Sequence, residues 1–157
     1  MKDFKEFLFS SDEPVVLDGS MATSLYNKGF YINRSFEELS VTAAEAVKEV
    51  TLGFKKARAK ILRTNTFGAS VPKLTEYNIQ DQLGEIIAAS IKVAKSVADD
   101  EAYVVGSLGP LGLVLEPLGP TSIEEAEDYY AKTVQFMEKA GVDGYSLESF
   151  HDLQELE

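Results

Sequence analysis

An α/β fold with parallel strands is what this 157-residue sequence predicts, and three observations carry that reading. Four short apolar runs end in glycine or polar residues, as parallel strands covered on both faces do. Amphipathic stretches with helical spacing lie between them. Successive runs begin roughly forty residues apart, enough for a strand, a loop, a helix and a return loop repeated as βαβ units.

The strand candidates are "PVVLDG" ending at Gly19, "AKILRTNTFG" from Ala59, "AYVVGSLGP" from Ala102 and "DGYSLES" from Asp143. The first helix between them, "TAAEAVKEVTLGFKKA", puts Ala43, Ala46, Val47, Val50 and Phe54 on one stripe. Thr42 and Glu45 are placed as a capping box at its start. "IQDQLGEIIAASIKVAKSVA" repeats the pattern through Leu83, Ile86, Ile87 and Ile91. "TSIEEAEDYYAKTVQFMEKAG" carries Ile123, Ala126, Tyr130, Val134 and Met137, with Thr121 or Ser122 as cap, acids in the first turn and Gly141 at the end. A further helix begins near Asp152.

A faint internal echo runs through this order. "KARAKILRTNTF" from Lys56 and "KAGVDGYSLESF" from Lys139 align without a gap, as a barrel built from a repeated unit would show. The long loop "GPLGLVLEPLGPTS" holds Pro110, Pro117 and Pro120, and its length marks it as a functional rather than a tight connection.

Composition narrows the function classes. One domain is expected at this length, and 45% hydrophobic residues is ordinary for a globular chain. A net charge of -11 argues against nucleic acid, which needs clustered Lys and Arg. The opening "MKDFKEFLF" lacks a signal-peptide core and no apolar run approaches ~20 residues, so a cytoplasmic location without a membrane partner is expected. Cysteine is absent, which removes disulfides, thiol nucleophiles and sulfur-ligated zinc.

Chemistry in α/β folds collects at the carboxyl ends of parallel strands. There the sequence puts Asp18-Gly19-Ser20, Thr64-Asn65-Thr66, Ser107 with Gly109, and Glu148-Ser149. Two carboxylates and glycine-exposed amides suit a zwitterion, whose ammonium seeks anionic acceptors and whose carboxylate seeks N–H donors. Each residue also has a plainer role. Asp18 can cap a short helix, Gly19 can be a turn residue, and Thr64, Asn65 and Thr66 can bond their own backbone. Glu148 can be a structural salt bridge to Arg63, and His151, the single histidine, reads as exposed. "GSLGPLG" lacks a phosphate-loop lysine, and the acidic "EEAEDYY" reads as a solvated helix face, not a metal site.

The segments "VVLDGSMATSLYNKGF", "FEELSVT", "LRTNTFGAS", "VVGSLGPLG" and "AGVDGYSLESFHDLQEL" resemble, in order and spacing, the homocysteine-binding domain of homocysteine S-methyltransferases, most of all the cobalamin-dependent methionine synthase branch. The resemblance implies a (βα)8 TIM barrel, of which residues 1–157 would be a partial homocysteine-binding domain: the N-terminal half, (βα)4. It implies methyl transfer to a homocysteine thiolate, forming methionine. Carried over by motif, Asp18 and Glu148 would accept from the homocysteine ammonium, and Gly19 and Thr64 would meet its carboxylate, chiefly through backbone N–H groups.

The sequence departs from the family at two places. Arg58-Ala59-Lys60 stands where a glycine-alanine-aspartate turn is usual, so Arg58 is expected to strain a helix end, and Ala22 replaces a glycine. The zinc and the methyl donor, such as methylcobalamin, are implied by the family alone. Its zinc is held by three cysteines from the second half of the barrel, so no catalytic residue, metal ligand or bound cofactor is assigned to this chain.

Four strands are half of a barrel of about 250 residues, which leaves strands one and four as open edges and inward apolar side chains without an opposing layer. The sequence is therefore read as a fragment, inactive alone, completed by a C-terminal half-barrel or a second copy. A non-catalytic half-barrel serving as an interaction or assembly module is the alternative. An unrelated barrel enzyme using Asp18 and Glu148 as acid and base is a third reading.

Overall fold

The computed structural model describes residues 3–10, 13–31 and 33–157. In chain order the elements are α1 (Phe4–Ser10), α2 (Met21–Asn27), α3 (Leu39–Thr42), α4 (Ala44–Lys56), β1 (Ile61–Arg63), α5 (Val71–Thr75), a 3-10 turn (Gln80–Gln82), α6 (Leu83–Ala98), β2 (Tyr103–Leu108), α7 (Ile123–Ala140), β3 (Gly144–Leu147) and α8 (Leu153–Leu156). The strands form one parallel sheet in the order β1-β2-β3, with Ile61 opposite Tyr103 and Val105 opposite Gly144.

The first predicted strand is corrected. "PVVLDG" pairs with β1 only as an isolated parallel bridge at Leu17 and Ile61. Two ladder bonds hold it, from the Lys60 N–H to Val16 O at 2.8 Å and from the Asp18 N–H to Ile61 O at 3.1 Å. Pro14 brings no N–H to extend that ladder. Short as it is, the pairing delivers Asp18 to the same rim as the ends of β1, β2 and β3.

Packing follows the alternation of side chains along a strand. Leu62 and Val104 point under α6, where they meet Ala94, Val97 and Ala98. Leu108 joins Ile86, Ile87, Ile91 and Met137 between α6 and α7, while Leu25, Leu39, Val47 and Val50 close α2, α3 and α4 around their own core. The opposite face carries Arg63, Tyr103 and Val105. The expectation of uncovered inward residues holds only at the margin: Tyr103 and Val105 are buried, whereas Leu17, in register with Ile61, is 42% exposed; Leu147, 55% exposed, shares the helix-packed face of Leu108.

The helix ends differ in how well their chemistry was placed. Ser122 caps α7, its hydroxyl accepting from the Glu125 N–H at 3.1 Å, and Gly141 closes it at φ 81°. Asp152 caps α8. The Thr42–Glu45 capping box does not form. Thr42 ends α3 and spends its hydroxyl on Glu38 O at 3.2 Å, and Ala43 starts α4 with no side-chain cap. Arg58 sits at φ 72° beyond α4, with the Arg58 N–H on Lys55 O and the Ala59 N–H on Phe54 O. That double closure is the one a left-handed glycine usually makes, so the strain expected of Arg58 is present. Gly141 takes the same left-handed turn in the aligned echo "KAG", so the sequence repeat is also a conformational one.

Candidate functional site

The carboxyl ends of the strands open into a cleft of about 320 Å³. Asp18, Gly19, Arg63, Thr64, Ser107 and Glu148 contribute to its wall, joined by Phe36 and Glu37 from the segment before α3. Volume and mixed lining are those of a small-molecule site. All four of the sequence-predicted substrate residues therefore meet in one place, and Asp18 and Glu148 face the same space.

The two carboxylates are bridged by one guanidinium. Arg63 Nε donates to Asp18 Oδ1 at 2.7 Å, its backbone N–H donates to Asp18 Oδ2 at 2.8 Å, and Nη1 pairs with Glu148 Oε2. Nη2 donates to the carbonyl oxygens of Asp18 and Gly19, each at 3.1 Å. The salt bridge weighed for Glu148 is thus real, and it includes Asp18 as well. The other oxygen of Glu148, Oε1, accepts from Ser107 Oγ at 2.5 Å.

Burial and pairing act together on Asp18 and Arg63. The Asp18 side chain is only 2% exposed. Desolvation pushes its carboxyl above the usual aspartate value, the Arg63 hydrogen bonds and charge pull it back, and the Glu148 charge adds to the rise. Burial draws Arg63 down, but Asp18 and Glu148 together outweigh it and hold the guanidinium charged.

Thr64 departs from its expected role. Its backbone N–H donates to Val105 O at 2.9 Å and is not free for a ligand carboxylate. Its hydroxyl belongs to a closed circuit: the Ser107 N–H donates to Thr64 Oγ1 at 3.2 Å, Thr64 meets Thr66 Oγ1 at 2.6 Å, and Thr66 donates to Ser107 O at 2.8 Å. This circuit fixes the end of β1 against β2. Asn65 is similarly employed, bonding Phe36 O at 2.7 Å and Ser40 Oγ at 3.1 Å.

Gly19 is a glycine for a packing reason. A Cβ there would lie 2.6 Å from the Phe54 ring. Among the described residues no hydrogen bond claims its N–H, which remains available on the cleft wall. Asp18 is not a helix cap; Ser20 performs that task for α2. His151 is exposed.

Sequence reasoning gave Arg63 no place in the site and passed over Glu37. Arg63 carried a signal, a full charge inside the apolar run "KILRT", which demands a partner if it is buried. Glu37 lies within the matched segment "FEELSVT", but far in sequence from every strand end, where site residues were sought. It accepts from Ser35 Oγ at 2.7 Å and from the Gly68 N–H at 2.8 Å, which closes the cleft wall at that side.

Comparison with known proteins places this architecture. The family model described as homocysteine S-methyltransferase matches residues 15–157. The chain belongs to the homocysteine S-methyltransferase family. It is 29% identical over 154 residues to the methionine synthase of Mycobacterium leprae, covering 90% of this chain and 13% of that protein. It is 30% identical over 138 residues to the betaine-homocysteine S-methyltransferase of Drosophila melanogaster, covering 74% of this chain and 42% of that one. The chain thus spans less than half the length of these relatives. The metallated form of the homocysteine methyltransferase MmuM from Escherichia coli superposes with a TM-score of 0.81 at 22% identity, over 99% of this chain and 60% of that one. Homocysteine is the substrate of this family.

Zinc, implied by the family resemblance, can be tested against the side chains present. A thiolate site needs cysteine, and this chain has none. Of the acids in the cleft, Asp18 and Glu148 are tied to Arg63, and Glu37 to Ser35 and Gly68. Among the described residues no group of three or more His, Cys, Asp or Glu is arranged to hold a metal. The residues of this chain do not fit the ion. No helix among the described residues is long and apolar enough to cross a membrane.

Proposed function

We propose that this chain is the homocysteine-binding half of a homocysteine S-methyltransferase, forming the first half, (βα)4, of a TIM barrel and lacking methyl transfer on its own. The observation that carries this reading is the convergence of Asp18 and Glu148 on one cleft at the carboxyl ends of the strands. Asp18, Glu148 and Arg63 together carry one net negative charge, and Glu37 adds a second to the same wall. A ligand ammonium is drawn to that excess, and the Gly19 N–H on the same wall offers a donor to the ligand carboxylate.

The remaining chemistry belongs to groups outside this chain. A sulfur nucleophile is reactive as the thiolate, and this chain has no cysteine to hold a metal beside it, while the cleft's cation, Arg63, is committed to Asp18 and Glu148. Thiolate activation and the methyl donor, methylcobalamin or another, are therefore assigned to a complementary half. Along β3, Leu147 is exposed and a second cleft of about 500 Å³ is lined by Leu108, Leu115, Tyr130 and Phe150, apolar surface that suits such a half. The acid–base reading is weaker, because both carboxylates are already counter-ions of Arg63.

Reconstitution tests this. Mixing the chain with the cysteine-bearing C-terminal half of a homocysteine S-methyltransferase is expected to restore methionine formation. In that assembly Glu148→Ala is expected to weaken homocysteine binding by calorimetry roughly tenfold or more, the cost of losing a charge-assisted hydrogen bond. Equal affinities would remove Glu148 from the site. An assembly that forms without activity would favour the interaction-module role.

A further inference from the structure

Two carboxylates facing one cleft repel each other unless a cation stands between them. Arg63 resolves that conflict. Its planar fork reaches both acids at once, and its backbone N–H adds a further bond to Asp18. A lysine ammonium, a point charge on a flexible stem, cannot span the two in the same way. Nη2 is tied to the carbonyl oxygens of Asp18 and Gly19, so the guanidinium is anchored to the wall.

Hydrogen-bond capacity decides what is left for a ligand. Asp18 accepts from the Arg63 N–H and Nε, and Glu148 accepts from Nη1 and Ser107 Oγ. Two carboxylates offer about eight acceptor positions, and an ammonium brings three donors, so the amine can dock without displacing Arg63. The other titratable group on the cleft wall, Glu37, is held at the far side by Ser35 and Gly68 and is not bridged to Asp18 or Glu148 by Arg63.

We propose that Arg63 is a positioning residue that sets the head-group selectivity of the cleft: its fork holds the Asp18 and Glu148 carboxylates side by side, aimed at a single monocationic amine, and it stays in place when the amine binds. This rests on the reading that the cleft takes an amino acid. Without the guanidinium nothing spans the two carboxylates, and their mutual repulsion turns them apart. The paired acceptors that single out an amine are then no longer side by side, and the preference for it is lost.

The test is a nuclear magnetic resonance titration of the whole 157-residue chain, following the Arg63 Nε–H and the Glu148 backbone N–H. Three probes are used: homocysteine, 3-sulfanylpropan-1-amine, which lacks the carboxylate, and 4-sulfanylbutanoate, which lacks the ammonium. The wild type is expected to prefer both amines over 4-sulfanylbutanoate by at least about tenfold, with the Arg63 Nε–H still hydrogen-bonded at saturation. Arg63→Met is expected to bring that preference close to unity, and Arg63→Lys to recover only part of it. A wild type without amine preference, an Nε–H released as the amine binds, or an Arg63→Met that binds amines as tightly as the wild type overturns the proposal. The Nε–H signal is read on the wild type, so the test stands even if a variant fails to fold. If 3-sulfanylpropan-1-amine binds as tightly as homocysteine, the amino-acid reading fails while the role of Arg63 stands.

Discussion

At the amino ends of β2 and β3, Tyr103 is packed by Phe7 and Phe4 of α1 at ring distances of 4.6 and 5.2 Å, and Phe4 lies where a Cβ on Gly144 would be. At the carboxyl ends of the same strands stand Ser107 and Glu148, wired to Arg63 and Asp18 around open space. The same sheet thus ends in aromatic packing on one side and in a charge network on the other. Closely packed rings stabilise a fold and leave nothing for a ligand to bond. A partly exposed ionic cluster contributes less to stability, because desolvation offsets much of its attraction, and it keeps acceptors for a solute. The comparison teaches where substitutions should act: stability at the amino ends, recognition at the carboxyl ends.

Tyr103→Ala gives the largest expected effect. Removing a buried ring should lower stability by about 3 kcal/mol in urea denaturation while leaving homocysteine affinity per folded molecule unchanged. A matching loss of affinity would break the separation of the two ends. Arg58→Gly works at the same end in the opposite direction. Glycine carries no penalty at φ 72°, so stability should rise by about 1 kcal/mol, again without a change in binding.

At the other end the expected effect is electrostatic. The Asp18 carboxyl should titrate above 3.8, because burial raises it more than Arg63 lowers it. A raised folded-state value means that Asp18 favours the fold most below its unfolded value, and that this contribution is lost as pH rises through the folded one. Arg63→Met removes the lowering influences and should move the titration, followed by carbon-detected nuclear magnetic resonance, further up. A midpoint at or below 3.8 would place Asp18 in a wetter, better-paired setting than the one described.

What was legible in the sequence follows physical locality. α6 and α7 showed themselves because their apolar stripes and the end signals Ser122 and Gly141 are written within a few residues. The first strand was over-read. Its apolar pattern is real, but a strand needs ladder partners, and pattern alone does not count them. The Thr42 cap failed because the side chain had a competing acceptor one turn back. Asp18 and Glu148 were legible as charges at the ends of apolar runs. Arg63 became legible only once strand alternation had turned it toward the cleft, and the loss of the Thr64 N–H to Val105 depends on register, which no local motif states.

Chemical-shift mapping with homocysteine tests the central claim most directly. The account predicts that saturating ligand shifts the backbone signals of residues 18–20, 63–66, 107 and 148–149 and leaves Phe4, Phe7, Tyr103 and Gly144 where they were. Shifts centred on that aromatic end, or on only one of Asp18 and Glu148, would contradict it.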